Sequence, residues 1–261
     1  MDHKARKRFG QNFLQDEGII RHIIHSIHPQ QGQRLVEIGP GLGALTQELL
    51  AEAGVLDVIE LDRDVIPHLQ RACTGKGELR IHNADALDFD LRTLADAQHK
   101  LRIIGNLPYN ISTPLLFHFI DQIDVIEDMH FMLQKEVVDR LAAPPGGKDY
   151  GRLSVMVQYH CAVEKILDVP PEAFTPAPKV DSAVVRLIPH RTPPVQVASV
   201  AELAKLVTSA FAHRRKTLRN NLKGILSAEQ IEALGIDPGA RAETLSLEEF
   251  ARLSNAVKKL L

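Results

Sequence analysis

Cysteine is scarce. The 261 residues contain two, Cys73 and Cys161. No disulfide framework can support the chain, and a zinc site would need several histidines in place of thiols. No stretch approaches the roughly 18 uninterrupted apolar residues of a membrane span. The basic start Met1-Asp2-His3-Lys4-Ala5-Arg6-Lys7-Arg8 is followed by no apolar signal core. Internal repeats are absent, as are a Gly-x-Ser-x-Gly nucleophile elbow and a Gly-Lys-Ser/Thr phosphate loop. His22, His25 and His28 step by three without a carboxylate or thiol cluster, so they read as surface positions on a short helix. Asp85, Asp88 and Asp90 lack the glycine and terminal glutamate of a calcium loop. These absences predict a soluble cytoplasmic protein that uses no metal. With no extra apolar helix face, a monomer is expected.

Hydrophobic residues make up 44% and charged residues 25%, an ordinary globular composition. The net charge of −2 hides an asymmetry. Residues 181–261 hold 12 Lys/Arg against 8 Asp/Glu, whereas the first 180 residues are net acidic. Arg214, Arg215, Lys216, Arg219 and Lys223 cluster with no acid among them, and Lys4, Arg6, Lys7 and Arg8 open the chain. Such clusters on a neutral chain fit a localised polyanion contact or, equally, a solvated helix face.

From residue 32 onward, short apolar runs alternate with amphipathic stretches, as βαβ units do. The runs are 34–38, 55–59, 78–81, 102–104 and 130–133, with further strand candidates at 164–169 and 183–188. Helices are expected at 44–53 and 114–120, with Thr113 as N-cap and Pro114 in the first helical position. Residues 153–161 fit helix or strand. After Pro193-Pro194 the texture is helical, with Ser199-x-x-Glu202, Ser227-x-x-Gln230 and Ser246-x-x-Glu249 as capping boxes. The chain thus reads as a basic N-terminal arm and helix (1–31), a doubly wound, mostly parallel α/β domain (32–190) and a small all-helical domain (191–261).

Two loops carry chemistry. Glu37-Ile38-Gly39-Pro40-Gly41-Leu42-Gly43 ends the first strand of the repeating pattern, and Glu60 closes the next, where an acid meets a ribose diol in nucleotide-binding sheets. Gly43 follows Gly41 by two positions rather than the three of a dinucleotide loop. The acid Glu37 beside the loop would repel pyrophosphate but tolerate a cationic sulfonium with an amino-acid tail. The loop therefore leans toward S-adenosylmethionine, against the rival reading of a nicotinamide-dependent oxidoreductase. Asp85 fits an acceptor for an adenine amino group or a helix cap. The second loop, Gly105-Asn106-Leu107-Pro108-Tyr109-Asn110, lies at the strand edge where reactive groups collect. An exocyclic amine on a base is a poor nucleophile because its lone pair is delocalised. The Asn106 side-chain oxygen and a backbone carbonyl near Leu107-Pro108 can accept its N–H bonds as nitrogen becomes cationic. Tyr109 offers a flat face for an extruded base.

With these loops in view, the sequence resembles the ribosomal RNA adenine dimethyltransferases over nearly its whole length. Gly10-Gln11-Asn12-Phe13-Leu14, Glu37 to Gly43, Asn106-Leu107-Pro108-Tyr109, Phe174 to Ser182, His213 to Leu218 and Arg241 to Leu245 carry the likeness. The resemblance implies that Asn12, Leu14, Gly39, Gly41, Glu60, Asp85 and Asn106 contact S-adenosylmethionine. It implies that Phe174 forms a second stacking wall opposite Tyr109. Lys179 would face RNA phosphate, unless it is only solvated. Arg6, Lys7, Arg8, Arg214, Arg215, Lys216 and Arg219 would grip RNA. The bacterial small-subunit enzymes are the nearest in pattern, which implies dimethylation of two adjacent adenines near the 3′ end of that RNA in a pre-ribosomal particle. A large-subunit resistance dimethylase shares the catalytic motif, but Arg214-Arg215-Lys216 and Arg241-x-Glu243 argue against it. A non-catalytic RNA-binding assembly factor is opposed by the intact Asn106 and Tyr109.

Overall fold

A computed structural model describes residues 12–258. The calls on Arg6, Lys7 and Arg8 lie outside these residues. Two compact units account for the chain: residues 12–138 with 164–189, and residues 139–163 with 190–258.

In the first unit a short strand β1 (Phe13–Leu14) leads through Asp16, whose carboxylate accepts the Ile19 amide at 2.9 Å, into helix α1 (Glu17–Ile27). Ile23, Ile24 and Ile27 form the buried stripe of α1, while His22, His25 and His28 are exposed as expected. The alternating pattern follows: β2 (Arg34–Ile38), α2 (Thr46–Ala53), β3 (Val55–Ile59), α3 (Ile66–Ala72), β4 (Glu78–His82), β5 (Leu101–Asn106), α4 (Ser112–Ile120) and β6 (Ile126–Gln134). Next in the chain are α5 (Lys135–Ala142), which crosses the unit boundary, and α6 (Arg152–His160) of the second unit, and then β7 (Cys161–Val169), β8 (Phe174–Thr175) and β9 (Ser182–Pro189), which return to the first. The stretch that fitted either periodicity is therefore helix up to His160 and strand from Cys161.

The main sheet has the order β4-β3-β2-β5-β6-β9-β7. Its first five strands run parallel, and β9 is antiparallel to β6. This is the expected doubly wound, mostly parallel architecture. Leu35, Val36, Glu37 and Ile38 are consecutive and all buried, which a strand achieves only when both sheet faces are covered. Strand order reverses between β2 and β5, so the loops leaving those two strands bound a crevice. Gly105 lets the strands close there: a Cβ at this position would lie 2.8 Å from the Ile38 carbonyl oxygen.

Helix α4 begins earlier than expected. Thr113 is its second residue and the cap position falls to Ile111, which makes no side-chain cap bond. Pro114 still lies in the first turn, where its missing N–H forfeits no intrahelical bond. Near the opposite edge of the sheet Arg102 grips Asp128 with two hydrogen bonds of 2.8 and 3.0 Å, and donates to the Ile27 carbonyl and the Gln33 side chain. Arg186 adds a third bond to Asp128 at 3.1 Å. Burial alone would raise the Asp128 carboxyl, but Arg102, with His130 and Arg186, holds it below its ordinary value.

The second unit contains α7 (Val200–Ala210), α8 (Leu218–Asn221), α9 (Ala228–Ala233) and α10 (Leu247–Lys258). Ser199 caps α7 by accepting the Glu202 amide, and the boxes at Ser227/Gln230 and Ser246/Glu249 are bonded in both directions. Besides these expected helices the unit takes in residues 139–163. The Gln158 amide donates to the Leu141 and Ala143 carbonyls, Tyr150 packs edge-on to Phe211, and the Gly146 amide donates to the Glu243 carbonyl at 2.7 Å. No helix among the described residues is long and apolar enough to cross a membrane.

Candidate functional site

The crevice at the strand-order reversal holds a cavity of about 480 Å³, the size class of a small-molecule site. Its walls bring together both loops singled out in the sequence and two further chain segments. Asn12, Phe13 and Leu14 form one side, Glu37 to Leu42 the floor, Glu60 to Asp62 and Ala84 to Leu87 the far end, and Asn106 to Ile111 the near end.

The glycine loop is shaped by the backbone. Gly39 donates to the Ile59 carbonyl at 2.9 Å, so the loop leaves β2 against the end of β3. Gly41 adopts φ +54°, the left-handed region, and a Cβ there would lie 3.2 Å from the Phe13 ring. Only glycine meets both demands without strain. Glu60 is buried, and its two carboxylate oxygens accept the Asp62 amide at 2.7 Å and the Gly41 amide at 3.3 Å. Burial nevertheless raises its carboxyl above the ordinary value, those amides working in the other direction. Asn83 fastens the same corner by donating to the Glu60 carbonyl at 2.7 Å. Asp85 is half-buried on the cavity wall and also accepts the Leu87 amide at 2.9 Å, so it stabilises a local turn while facing the cavity.

Glu37 has an unexpected state. It is 3% exposed, and neither its Oε2 nor the Thr46 hydroxyl finds a hydrogen-bond partner of normal geometry among the described residues. Burial pushes its carboxyl up to about 8, with Thr46 easing the rise only in part and the Glu60 charge adding to it. The side chain is thus mostly neutral at pH 7 and does not repel an anion as a fixed charge would. It becomes a carboxylate when something cationic faces it.

At the near end, the Asn106 amide nitrogen donates to the Asn12 carbonyl at 3.2 Å. This fixes which way the amide points and turns its oxygen away from that bond. The Leu107 amide donates to the Met132 carbonyl, and the Pro108 carbonyl accepts the Ile111 amide, closing the turn that displays Tyr109. Tyr109 is half-buried on the wall, with its hydroxyl 2.6 Å from Ser182 Oγ.

Among the residues named from the sequence, Asn12, Leu14, Gly39, Gly41, Glu60, Asp85, Asn106, Leu107, Pro108 and Tyr109 all line this one cavity. Phe174 does not. It is 3% exposed, paired through β8 with Leu14 of β1, and packed in the core with Ile23, Ile24 and Val169. The expected second wall is therefore turned inward, because β8 presents the ring to the core. Lys179 is exposed. In the helical unit Arg214, Arg215, Lys216 and Arg219 are exposed as well; Arg214 also donates to the Lys148 carbonyl and, like Arg241, lies within ion-pair distance of Glu243. Three contributors were missed. Phe13 was named only as part of a motif yet lines the cavity, Ser182 was seen only as the end of a motif, and Asn83 carried no signal of its own. No group of three or more His, Cys, Asp or Glu among the described residues is placed to hold a metal ion.

Comparison with known proteins identifies the family. The sequence profile described as ribosomal RNA adenine dimethylase matches residues 2–259. Proteins named ribosomal RNA small subunit methyltransferase A are similar along almost the full length. The one from Nitrosococcus oceani is 58% identical, covering 97% of this chain and 96% of its own. That of Pseudomonas aeruginosa is 57% identical, covering 99% and 96%. Among solved structures, a dimethyladenosine transferase from Plasmodium falciparum superposes with a TM-score of 0.75 at 26% identity, covering 92% of this chain and 95% of that one. The 23S rRNA methyltransferase ErmE gives 0.74 at 25% identity, covering 95% and 100%. The chain belongs to the ribosomal RNA adenine dimethylase family.

Proposed function

We propose that the protein transfers methyl groups from S-adenosylmethionine to the exocyclic amine of adenine, twice per base, on two adjacent adenines near the 3′ end of small-subunit ribosomal RNA. The observation that carries this reading is one cavity walled by both the Gly39–Glu60 corner and the Asn106–Tyr109 loop. The residues fit the donor: Glu37, a buried carboxyl with its Oε2 unsatisfied, stands ready for a cation, and Glu60 retains lone pairs for a ribose diol. Asp85 would accept from the donor's adenine. When bound, S-adenosylmethionine supplies an electrophilic methyl group on a sulfonium.

The protein's part is positioning. The Asn106 oxygen accepts one N–H of the target amine. The second acceptor is a backbone carbonyl of the Leu107-Pro108 turn; the Pro108 oxygen already accepts the Ile111 amide, which leaves the Leu107 carbonyl the less committed of the two. Both acceptors strengthen as the nitrogen gains positive charge, which is stabilisation realised in the transition state. The proton then leaves without a strong base, since a methylated ammonium of this kind is acidic. Tyr109 stacks on the base. Phe174 would join it only by turning out of the core. The exposed Lys179 and the Arg214–Arg219 cluster, with the basic arm of Arg6, Lys7 and Arg8, would neutralise RNA phosphates. We take the active form to be a monomer that needs no metal, working in the cytoplasm on a pre-ribosomal particle.

The test is a methyl-transfer assay on small subunits lacking the modification, with large-subunit RNA alongside and nucleosides identified by mass spectrometry. Dimethyladenosine from the small subunit, lost in Asn106→Ala while donor binding persists, is the expected result. Product from large-subunit RNA alone would replace this reading with the resistance-enzyme one. Donor binding without product on either RNA would favour an assembly factor.

A further inference from the structure

Tyr109 is held from two directions that the reaction itself does not explain. Its backbone sits in a four-residue turn, where Ser112 Oγ donates to the Tyr109 carbonyl at 3.2 Å. Its hydroxyl lies 2.6 Å from the hydroxyl of Ser182. Ser182 is fully buried and is the first residue of β9, paired in register with Gln134 of β6. The carbonyl just before it, that of Asp181, accepts the Lys135 amide at 2.9 Å. The Ser182 backbone therefore stands on the sheet, which leaves its buried Oγ only the χ1 rotation, although sequence places the residue at the end of a proline-rich loop.

A tyrosine ring turns about two side-chain torsions, and those torsions decide which way its faces look. A hydrogen bond at the ring's tip to a buried oxygen held on the sheet removes that freedom while leaving both faces open. We propose that Ser182 is a positioning residue for methyl transfer: it pins the Tyr109 hydroxyl so that the ring presents one face squarely to the target base. The inference rests on the adenine-methylation reading above. It has a corollary for the chemistry. The phenol is engaged with Ser182 rather than with the amine, so Tyr109 contributes its ring and not its hydroxyl. Burial, which holds the phenol proton more tightly than usual against the opposing effect of Ser182, points the same way.

A double-mutant cycle tests this with wild type, Ser182→Ala, Tyr109→Phe and the double variant, measuring kcat, KM for small subunits, S-adenosylmethionine affinity and melting temperature. Each single variant is expected to lose about fivefold in kcat, the worth of one ordinary hydrogen bond, with little change in KM, donor affinity or melting. The double variant should be no slower than either single one, because both remove the same bond. Losses that multiply in the double variant, or wild-type kcat in either single variant, would overturn the proposal. Should Ser182→Ala fail to fold, Tyr109→Phe decides alone, since full kcat without the hydroxyl leaves the pin no role. Wild-type protein that makes no methylated adenine would remove the functional reading and this inference with it, a result distinct from an active wild type with an additive cycle.

Discussion

Glu37 should make the donor-free protein less stable as pH rises through neutrality, and replacing it with glutamine should abolish that loss. The carboxyl stands at about 8 in the folded chain, against about 4.3 for an exposed glutamate. Below that lower value both states are protonated and burial of the group has no titration cost. Between the two values the unfolded chain releases the proton while the native one keeps it, so stability falls by about 1.4 kcal/mol per pH unit. By pH 7 the accumulated cost is about 3.6 kcal/mol, and it levels off above pH 8. Glu37→Gln mimics the neutral form in nearly the same volume. Its stability advantage over wild type from this titration should be about 0.6 kcal/mol at pH 4.5 and grow to about 3.6 kcal/mol at pH 7, other titrations cancelling in the difference. Urea unfolding of both proteins at pH 5, 6 and 7 without donor measures this. The same linkage works in reverse on binding. A cationic donor favours the carboxylate, so S-adenosylmethionine should displace about 0.9 proton from Glu37 at pH 7. Calorimetry in two buffers of different ionisation enthalpy would count it. A stability difference that does not change with pH, together with no proton release, would refute the neutral buried carboxyl.

Three further outcomes are expected. Asp128→Asn should destabilise the protein by about 3–5 kcal/mol in chemical unfolding, because the buried Arg102 then keeps its charge without a counter-ion, whereas the part-exposed Arg186 still has Glu164; a loss below about 1 kcal/mol would contradict the geometry. Gly41→Ala should weaken S-adenosylmethionine binding at least tenfold by titration, since φ +54° and the Phe13 ring 3.2 Å from the new methyl both oppose it, whereas Gly75→Ala, with nothing near its Cβ, should leave binding alone. Changing Arg214, Arg215 and Lys216 together to alanine should flatten the salt dependence of RNA binding, and an unchanged slope would take them out of the interface.

Much of the architecture was legible because parallel strands buried on both faces leave continuous apolar runs, and each of the five early runs became a strand. The site was legible through position. Loops leaving β2 and β5 must meet where strand order reverses, so Gly39 and Asn106 were bound to face each other. Other features depend on contacts that spacing does not encode. Residues 139–163 look like a helix end and a Pro-Gly loop, and their grouping with the later helices follows from Tyr150 meeting Phe211 and Gly146 meeting Glu243. The start of α4 misled because Pro114 is tolerated anywhere in a first turn. Phe174 carries the same letter whether it faces base or core, and only its pairing across Leu14 sends it inward. Glu37 reads as a charge in the sequence, and only complete burial makes it neutral.

The pairing of β1 with β8 also sets an order of events during synthesis. Phe13 and Leu14 are made some 160 residues before their partners Thr175 and Phe174. At roughly 5–20 residues per second that is a wait on the order of 10–30 seconds. Until then the first wall of the cavity has no strand to hold it, and Asn12 has no fixed carbonyl to offer Asn106. A nascent chain that already owns its glycine loop and its Asn-Leu-Pro-Tyr turn is thus still without a finished cavity, and that cavity closes only once nearly the whole sheet has been translated.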